Sequence, residues 1–317
     1  MKSAIFQTAR RAFHLSGGTG FVRFRYRHGA RILMYHRFPE PHRFEEQCRH
    51  LNQFYRPISM TELGSKLQEG KKLSPNSVVV TVDDGYRDFL TNAFPVLSAY
   101  SIPAIVFLAT DMLDHGTCLW VDWVRVLFRS SPLKHVTLEL PGREPAEYRT
   151  DAASSPVNQA LKQASNSERL AFLARLPDLL HVPGRPAIPE SLRPLAWDEV
   201  RTMAAAGIEF GAHTMSHPIL SRLESKDEVR GELAGSKTRI EQELQRPCRH
   251  FCYPNGTFAD FNQATIEVLS ECGFQTSVVG QPGLNFAGAD RYQLRRFAME
   301  PAYGGLKFAQ KVAGLNW

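Results

Sequence analysis

No stretch of this chain approaches the roughly 20 consecutive apolar residues that would cross a bilayer as a helix. Its first residues, "MKSAIFQTARRAFHLSGG", begin basic, but polar residues break every apolar run, so a secretory signal is not expected. Acidic residues are missing from residues 1–31, which hold Lys2, Arg10, Arg11, Arg23, Arg25, Arg27 and Arg31. Those seven cations exceed the net charge of the whole chain, +6, so residues 32–317 together carry −1. A nucleic-acid surface needs cations spread along a face with stacking aromatics. Only the head offers them, and no nucleic-acid partner is expected. The head reads instead as a basic segment in peripheral contact with anionic membrane or lying on the protein's own surface. Close cysteine pairs are absent too. Cys48, Cys118, Cys248, Cys252 and Cys272 are odd in number, form no CxxC and complete no zinc cage. They read as reduced thiols of a cytoplasmic protein, one expected to lie free or peripheral to the inner face of the membrane. No histidine follows His250.

With 317 residues, 43% of them hydrophobic, the chain can bury a large core. Short runs rich in Val, Ile and Phe recur: "RILMYH", "SVVVTV", "IPAIVFLA", "GIEFGAH", "RHFCYP" and "QTSVVG". They are too short for helices and read as buried parallel strands. Helical patterns lie between them. "SKDEVRGELAGSKTRIEQEL" opens with Ser225 and Glu228 at capping-box spacing and repeats apolar residues at Val229, Leu233, Ile240 and Leu244. "LAWDEVRTMAAAG" and "ADFNQATIEVLSECG" end at Gly207 and Gly273, residues suited to a helix C′ position. Alternating strands and helices predict an α/β fold with a parallel sheet, open or closed into a barrel. From about 113 to 194 that rhythm breaks into segments rich in Pro, Ser, Arg and Ala. This region is expected to be an insertion of loops and short helices over the strand ends. The expected organisation is a basic segment, 1–31, followed by one barrel domain, 32–317.

Two constellations carry chemistry. In "VVVTVDDGYRDF", Asp83 and Asp84 end a buried strand. Burying adjacent carboxylates is costly unless a cation or hydrogen bonds compensate. One could ligate a metal while the other faces water; alternatively, Asp84 or Gly85 caps the helix holding Phe89, Phe94 and Leu97. In "EFGAHTMSHPIL", His213 and His217 lie four apart after another strand. Two imidazoles with a carboxylate form a usual zinc set, although a His pair at this spacing also occurs incidentally.

"TVDDG", "HTMSHP" and "FCYPNG", together with "LMYHRF" and "LRRFAM", resemble the successive motifs of the NodB-homology polysaccharide deacetylases, carbohydrate esterase family 4. The resemblance implies a distorted (β/α)7-type barrel that binds a divalent metal at the C-terminal ends of its strands. Zinc is the ion it implies first, with cobalt or a similar ion as the alternative. It makes Asp83 the general base and Asp84, His213 and His217 the metal ligands. It also places the oxyanion and substrate against "YPNG", that is Tyr253, Pro254 and Asn255, with the Asn255 N–H as donor.

Two departures bear on the site. Many relatives carry an arginine in the third motif that tethers the base, and here Cys252 stands at about that place. Arg295 or Arg296 of "YQLRRFAM" could compensate, with Arg296 preferred. Many relatives also take their proton donor from a C-terminal histidine, which this chain lacks. His36, which ends the early "YH" strand as in the poly-N-acetylglucosamine deacetylases, is the expected acid: a barrel's first and last strands are neighbours, and imidazole is suited to protonating a leaving amine. The expected activity is metal-dependent hydrolytic deacetylation of an N-acetylated sugar in a polysaccharide, oligosaccharide or glycolipid precursor. Two alternatives stand beside it: hydrolysis of a small non-sugar amide on the same fold, and a carbohydrate-binding pseudoenzyme.

Overall fold

The computed structural model describes residues 2–315, with side chains from Thr8 onward. The side chain of Lys2 in the basic head and the last two residues of the chain therefore lie outside the described residues. Among the described residues ten strands form: β1 (Arg31–Tyr35), β2 (Arg56–Pro57), β3 (Ser77–Val82), β4 (Ala104–Leu108), β5 (His135–Leu138), β6 (Ala146–Arg149), β7 (Glu209–Ala212), β8 (His250–Cys252), β9 (Thr276–Val278) and β10 (Phe297–Ala298). Seven line up in the order β10-β1-β3-β4-β7-β8-β9, and β2 adds to β3; every pairing in this sheet is parallel. The two ends of the sheet approach each other. Val278 of β9 bridges Leu294, just ahead of β10, and the Val279 N–H donates to the Leu294 carbonyl at 2.8 Å. The sheet is thus a curled, distorted barrel with its seam between β9 and β10.

The six apolar runs became strands because both faces of each are covered. Alternate residues of β1, β3 and β4 serve two different cores. Leu33, Tyr35, Val78, Val80, Val82, Val106 and Leu108 pack outward under the helices. Ile32, Val79, Ile105 and Phe107 pack inward with Cys252, Val278 and Leu294. Each fully buried Val contributes about 1.5–3 kcal/mol, so "SVVVTV" is stable only with water excluded from both sides. The inward column of β3 runs Val79, Thr81 and then Asp83, which carries a carboxylate to the top of the barrel interior.

Helix ends follow their local chemistry. Ser225 Oγ accepts the Glu228 N–H at 3.1 Å and starts the helix Lys226–Leu244. The Glu228 carboxylate takes the Glu224 N–H rather than that of Ser225, so only half of the anticipated capping box forms. Gly207 and Gly273, at φ +98° and +75°, terminate the helices Trp197–Ala205 and Gln263–Glu271.

The segment 113–194 is more ordered than loops and short helices. It contains the helices Trp120–Ser130, Ser154–Gln163 and Asn166–Leu179 and the antiparallel hairpin β5–β6. Trp120, Val124, Leu127, Val157, Leu161 and Leu176 share a separate apolar core there. Many of its Pro, Ser and Arg residues sit in the connections or at helix ends, although Pro177 lies within a helix and Arg169 is buried, which is why composition alone suggested loops. No helix among the described residues is long and apolar enough to cross a membrane.

Candidate active site

At the C-terminal rim of the barrel, a cleft of about 490 Å³ is lined by His36, Asp83, Asp84, His213, His217 and Asn255, among others. They arrive from the ends of four strands or the loops after them: His36 from β1, Asp83 and Asp84 from β3, His213 and His217 from β7 and Asn255 from β8. Asp84 is not a helix cap. Its backbone lies in the left-handed region at φ +78°, followed by Gly85 at +92°, and this turn swings its carboxylate away from the Asp83 column. A Cβ at Gly85 would stand 2.7 Å from Leu108, so only glycine fits that turn. Thr214, His217 and Asn255 also have positive φ, at 66°, 56° and 55°. Half of the chain's described non-glycine residues with positive φ thus surround one cleft, the pattern of strain held at a functional site.

Arg296 clamps Asp83. Its Nη1 and Nη2 donate to Asp83 Oδ1 and Oδ2 at 2.7 and 2.8 Å. The remaining donors go to Thr81 Oγ1 at 3.0 Å, Cys252 Sγ at 3.1 Å and the Val279 carbonyl at 3.1 Å, so all five guanidinium N–H groups are engaged. Both partners are buried. Burial alone would raise the Asp83 pKa, but the ion pair and hydrogen bonds of Arg296 outweigh it and hold the carboxylate well below its usual range. Cys252 occupies the place where an arginine was anticipated, and its small side chain leaves the volume that Arg296 fills from across the seam. Arg295 points the other way, over the Phe258 ring at 5.6 Å.

The three residues expected to hold a metal converge. His213 Nε2 and His217 Nε2 lie 3.5 and 3.7 Å from Asp84 Oδ1. Those separations are long for hydrogen bonds. They are close to the roughly 3.4 Å edge between ligands arranged tetrahedrally about an ion that sits ~2.0–2.1 Å from each. His213 Nδ1 lies 2.7 Å from the Cys252 carbonyl, which fixes its proton there and turns the Nε2 lone pair inward. Burial, then the neighbouring His213, push His217 down to about 3, so its imidazole is neutral as a ligand requires. Burial pulls His213 down too, but Cys252 and Asp84 pull it up further, so a proton and a cation compete for its Nε2. The donor set and its spacing fit a divalent ion.

The loop carrying the two histidines is held from behind. The Glu232 carboxylate accepts the N–H groups of Met215 and Ser216 at 2.8 and 2.9 Å and the Ser216 hydroxyl at 2.6 Å. Trp120 Nε1 donates to the His217 carbonyl at 2.9 Å. Neither residue was singled out in the sequence, because a glutamate in mid-helix and a tryptophan in an insertion carry no motif. The same is true of Arg125 and Lys162, which reach the cleft from the insertion.

His36 follows β1 onto this same rim. Its Nε2 is 3.7 Å from Asp83 Oδ2, and its side chain is 47% exposed, open to a ligand in the cleft. Asp88 fixes the loop beneath it by accepting the Phe38 N–H and Arg37 Nε, each at 2.9 Å. Asn255 presents a backbone N–H with no acceptor among the described residues, while its side chain accepts from Lys162 Nζ at 2.9 Å. Tyr253 and Pro254 do not line the cleft. The Tyr253 ring stacks on Phe261 at 3.9 Å and its hydroxyl donates to the Tyr292 carbonyl at 3.0 Å, so it braces the barrel wall rather than facing a substrate.

A family model described as polysaccharide deacetylase matches residues 70–277. A Bacillus subtilis protein named as a candidate polysaccharide deacetylase, YxkH, is 22% identical over 294 residues, covering 90% of this chain and 76% of that one. The poly-beta-1,6-N-acetyl-D-glucosamine N-deacetylase of Escherichia coli is 41% identical over 51 residues, which is 16% of this chain and 8% of that enzyme. Among solved structures, the Streptococcus pyogenes deacetylase PplD in complex with acetate superposes with a TM-score of 0.59 at 18% identity, covering 86% of this chain and 93% of that one.

Proposed function

The chain belongs to the polysaccharide deacetylase family, and from that premise we propose that it hydrolyses the N-acetyl group of an amino sugar in a glycan, with a divalent metal as cofactor. One observation carries the reading: the Asp84, His213 and His217 donor atoms converge beside an arginine-clamped Asp83 in a cleft that His36 borders. Asp84, His213 and His217 would hold the ion. When bound, it supplies Lewis acidity, polarising the acetyl carbonyl and making water more acidic.

The side chains do the rest. Asp83, kept ionised and immobile by Arg296, accepts a proton from water as the water oxygen attacks the carbonyl carbon. The Asn255 N–H, lacking an acceptor among the described residues, donates to the oxyanion that forms. When the carbon–nitrogen bond breaks, protonated His36 gives its proton to the leaving amine, so acetate and an amino sugar result. The separation of 3.7 Å between Asp83 and His36 lets the proton collected by one return to the other between turnovers. The Escherichia coli relative's name supports an N-acetylglucosamine polymer as the substrate. The test is acetate release from N-acetylglucosamine oligosaccharides. Release should stop with chelator, return with zinc or cobalt, and be lost in Asp83→Asn; full activity in metal-free protein would overturn the proposal.

The head extends the same reading. Among its described residues, Leu15, Phe21, Phe24 and Tyr26 are exposed large apolar side chains, between 40% and 75% accessible, and lie among Arg11, Arg25 and Arg27 with no acid in the segment. Apolar tips amid cations suit an anionic lipid surface. The five free thiols suit a reducing compartment, so the proposed location is the cytoplasmic side of the membrane.

A further inference from the structure

Beyond the loop that holds His213 and His217 lies a second cavity, of about 480 Å³. Leu119 belongs to the walls of both cavities, and Met215 and Ser216 of the histidine loop also line this one. Its floor and side are Trp120 and Trp123 from the insertion. One lining residue is out of keeping with its surroundings. Arg169, at the start of the helix Asn166–Leu179, is 3% exposed, yet no carboxylate pairs with it. Its one hydrogen bond goes to the Asn166 side-chain oxygen at 2.6 Å, and its guanidinium lies over the Trp120 ring at 5.1 Å. Glu232 is near enough to favour its charge, but those carboxylate oxygens accept from Met215 and Ser216 and none bonds the guanidinium.

A buried guanidinium without a hydrogen-bonded counter-ion is costly, and burial, opposed only in part by Glu232, depresses its pKa to about 10. By contrast, Arg296 has every donor engaged. The donors Arg169 leaves over face a cavity with two tryptophan rings. Arg185 adds a second cation over Trp123, 5.8 Å from its ring, and Asp111 is the opposing charge on the far wall. The lining thus holds two arginines and one carboxylate, with Glu232 acting on Arg169 from outside the lining. Aromatic walls suit the C–H faces of a pyranose, and a planar guanidinium fork suits an oxyanion.

We propose that this cavity is a subsite for an acidic sugar: a residue bearing a carboxylate or phosphate, adjoining the amino sugar that is deacetylated. The inference rests on the deacetylase reading and deepens it: the N-acetylglucosamine-containing polymer would carry acidic sugars beside the residue that is deacetylated. Arg169 binds the oxyanion, Trp123 takes the ring face, and the shared wall at Leu119 lets one glycan occupy both cavities.

Two measurements test it. The first is ligand-observed NMR titration of the metal-loaded protein with glucuronic acid, inorganic phosphate and neutral glucose. Wild type should bind at least one anion and not glucose, and Arg169→Met should weaken that binding about tenfold or more, as expected for a lost bidentate pair. Glucuronate binding without phosphate binding identifies the carboxylate, and the converse identifies the phosphate. Arg169→Lys keeps the charge without the fork and should bind several-fold more weakly than wild type; should Arg169→Met not fold, unchanged binding by Arg169→Lys overturns the proposal. Binding abolished by Arg185→Gln but untouched by Arg169→Met would mean surface attraction only and would also overturn it. The second measurement compares kcat/KM for N-acetylated oligosaccharides with and without an adjoining acidic sugar. Wild type should favour the acidic one, and Arg169→Met should erase that preference while leaving the neutral substrate unchanged. If neither is turned over, the deacetylase reading fails and the titration alone decides the subsite.

Discussion

Asp83 receives both terminal nitrogens of Arg296, whereas Asp84 faces two imidazoles, so substitutions at these adjacent positions should separate cleanly. Asp83→Asn is expected to retain metal and lose most turnover. Asp84→Asn should weaken metal binding itself, as read by metal content after dialysis. Equal metal loss in both would reverse the assignment. For His36, the expected cost of substitution by Ala is on the order of 10²- to 10⁴-fold in rate with metal retained. That cost should shrink for an activated ester, whose leaving group needs no proton; equal losses on amide and ester would make His36 a scaffold residue. A different histidine should govern acid stability. His250 is buried between the Thr61 and Thr276 hydroxyls, at 3.1 and 2.8 Å, and burial pushes its pKa down to about 3 from 6.5. The unfolded chain takes up this proton below about pH 6.5 and the folded one does not, so stability is full above that pH and falls as pH drops towards 3. The slope from this one group is up to about 1.4 kcal/mol per pH unit. His250→Gln should flatten the fall in Tm between pH 6.5 and 4, and an unchanged slope would show that other groups dominate.

The helix Lys226–Leu244 does more than cover the sheet, because Glu232 in its second turn holds the loop between the two histidines. Glu232→Ala strands two N–H groups and frees the loop. It should lower metal affinity about 10- to 100-fold, measured by competition with a chelator, while Glu232→Gln, which keeps one acceptor oxygen, should fall between. Such supports are hard to read in advance. The six strand runs were legible because each is apolar on both faces, and the helix stops at Gly207 and Gly273 because only positive φ fits there. Asp83, Asp84, His213 and His217 stood out by motif. Choosing Arg296 over Arg295 depended on which face of an extended segment turns inward, an alternation that a two-residue strand barely displays. Tyr253 was misjudged because a residue inside a motif can serve the wall instead of the cleft. The hairpin β5–β6 and the insertion's core went unseen, since their apolar residues are spread over segments that composition marks as loop.

Across the whole molecule, the two ends of the barrel have different partners. The insertion overhangs the strand C-termini and supplies Arg125 and Lys162 to the cleft. The second half of the head attaches at the other end, whereas its first helix lies against the helix Gly305–Val312, Arg10 Nε donating to Gln310 Oε1 at 2.8 Å. Arg31, the first residue of β1, donates to the Tyr26 and Gly29 carbonyls, and the Asn76 N–H just before β3 donates to that of Arg27. Vesicle sedimentation should show binding to phosphatidylglycerol membranes that weakens with salt, each engaged cation contributing about 1 kcal/mol. The double substitution Phe21→Ser and Phe24→Ser should weaken it at every salt concentration, and binding indifferent to lipid charge would refute the electrostatic part. Because residues 26–29 of the head meet the N-terminal starts of β1 and β3, lipid engaged by this part of the head would leave the cleft facing outward, with the barrel as a spacer. Five or six strand residues at about 3.3 Å each set a standoff of roughly 20 Å between bilayer and reacting amide. A single lipid-linked sugar would stop short of that height, whereas a strand several sugars long could rise to meet it, so the docked enzyme would select its substrate by reach.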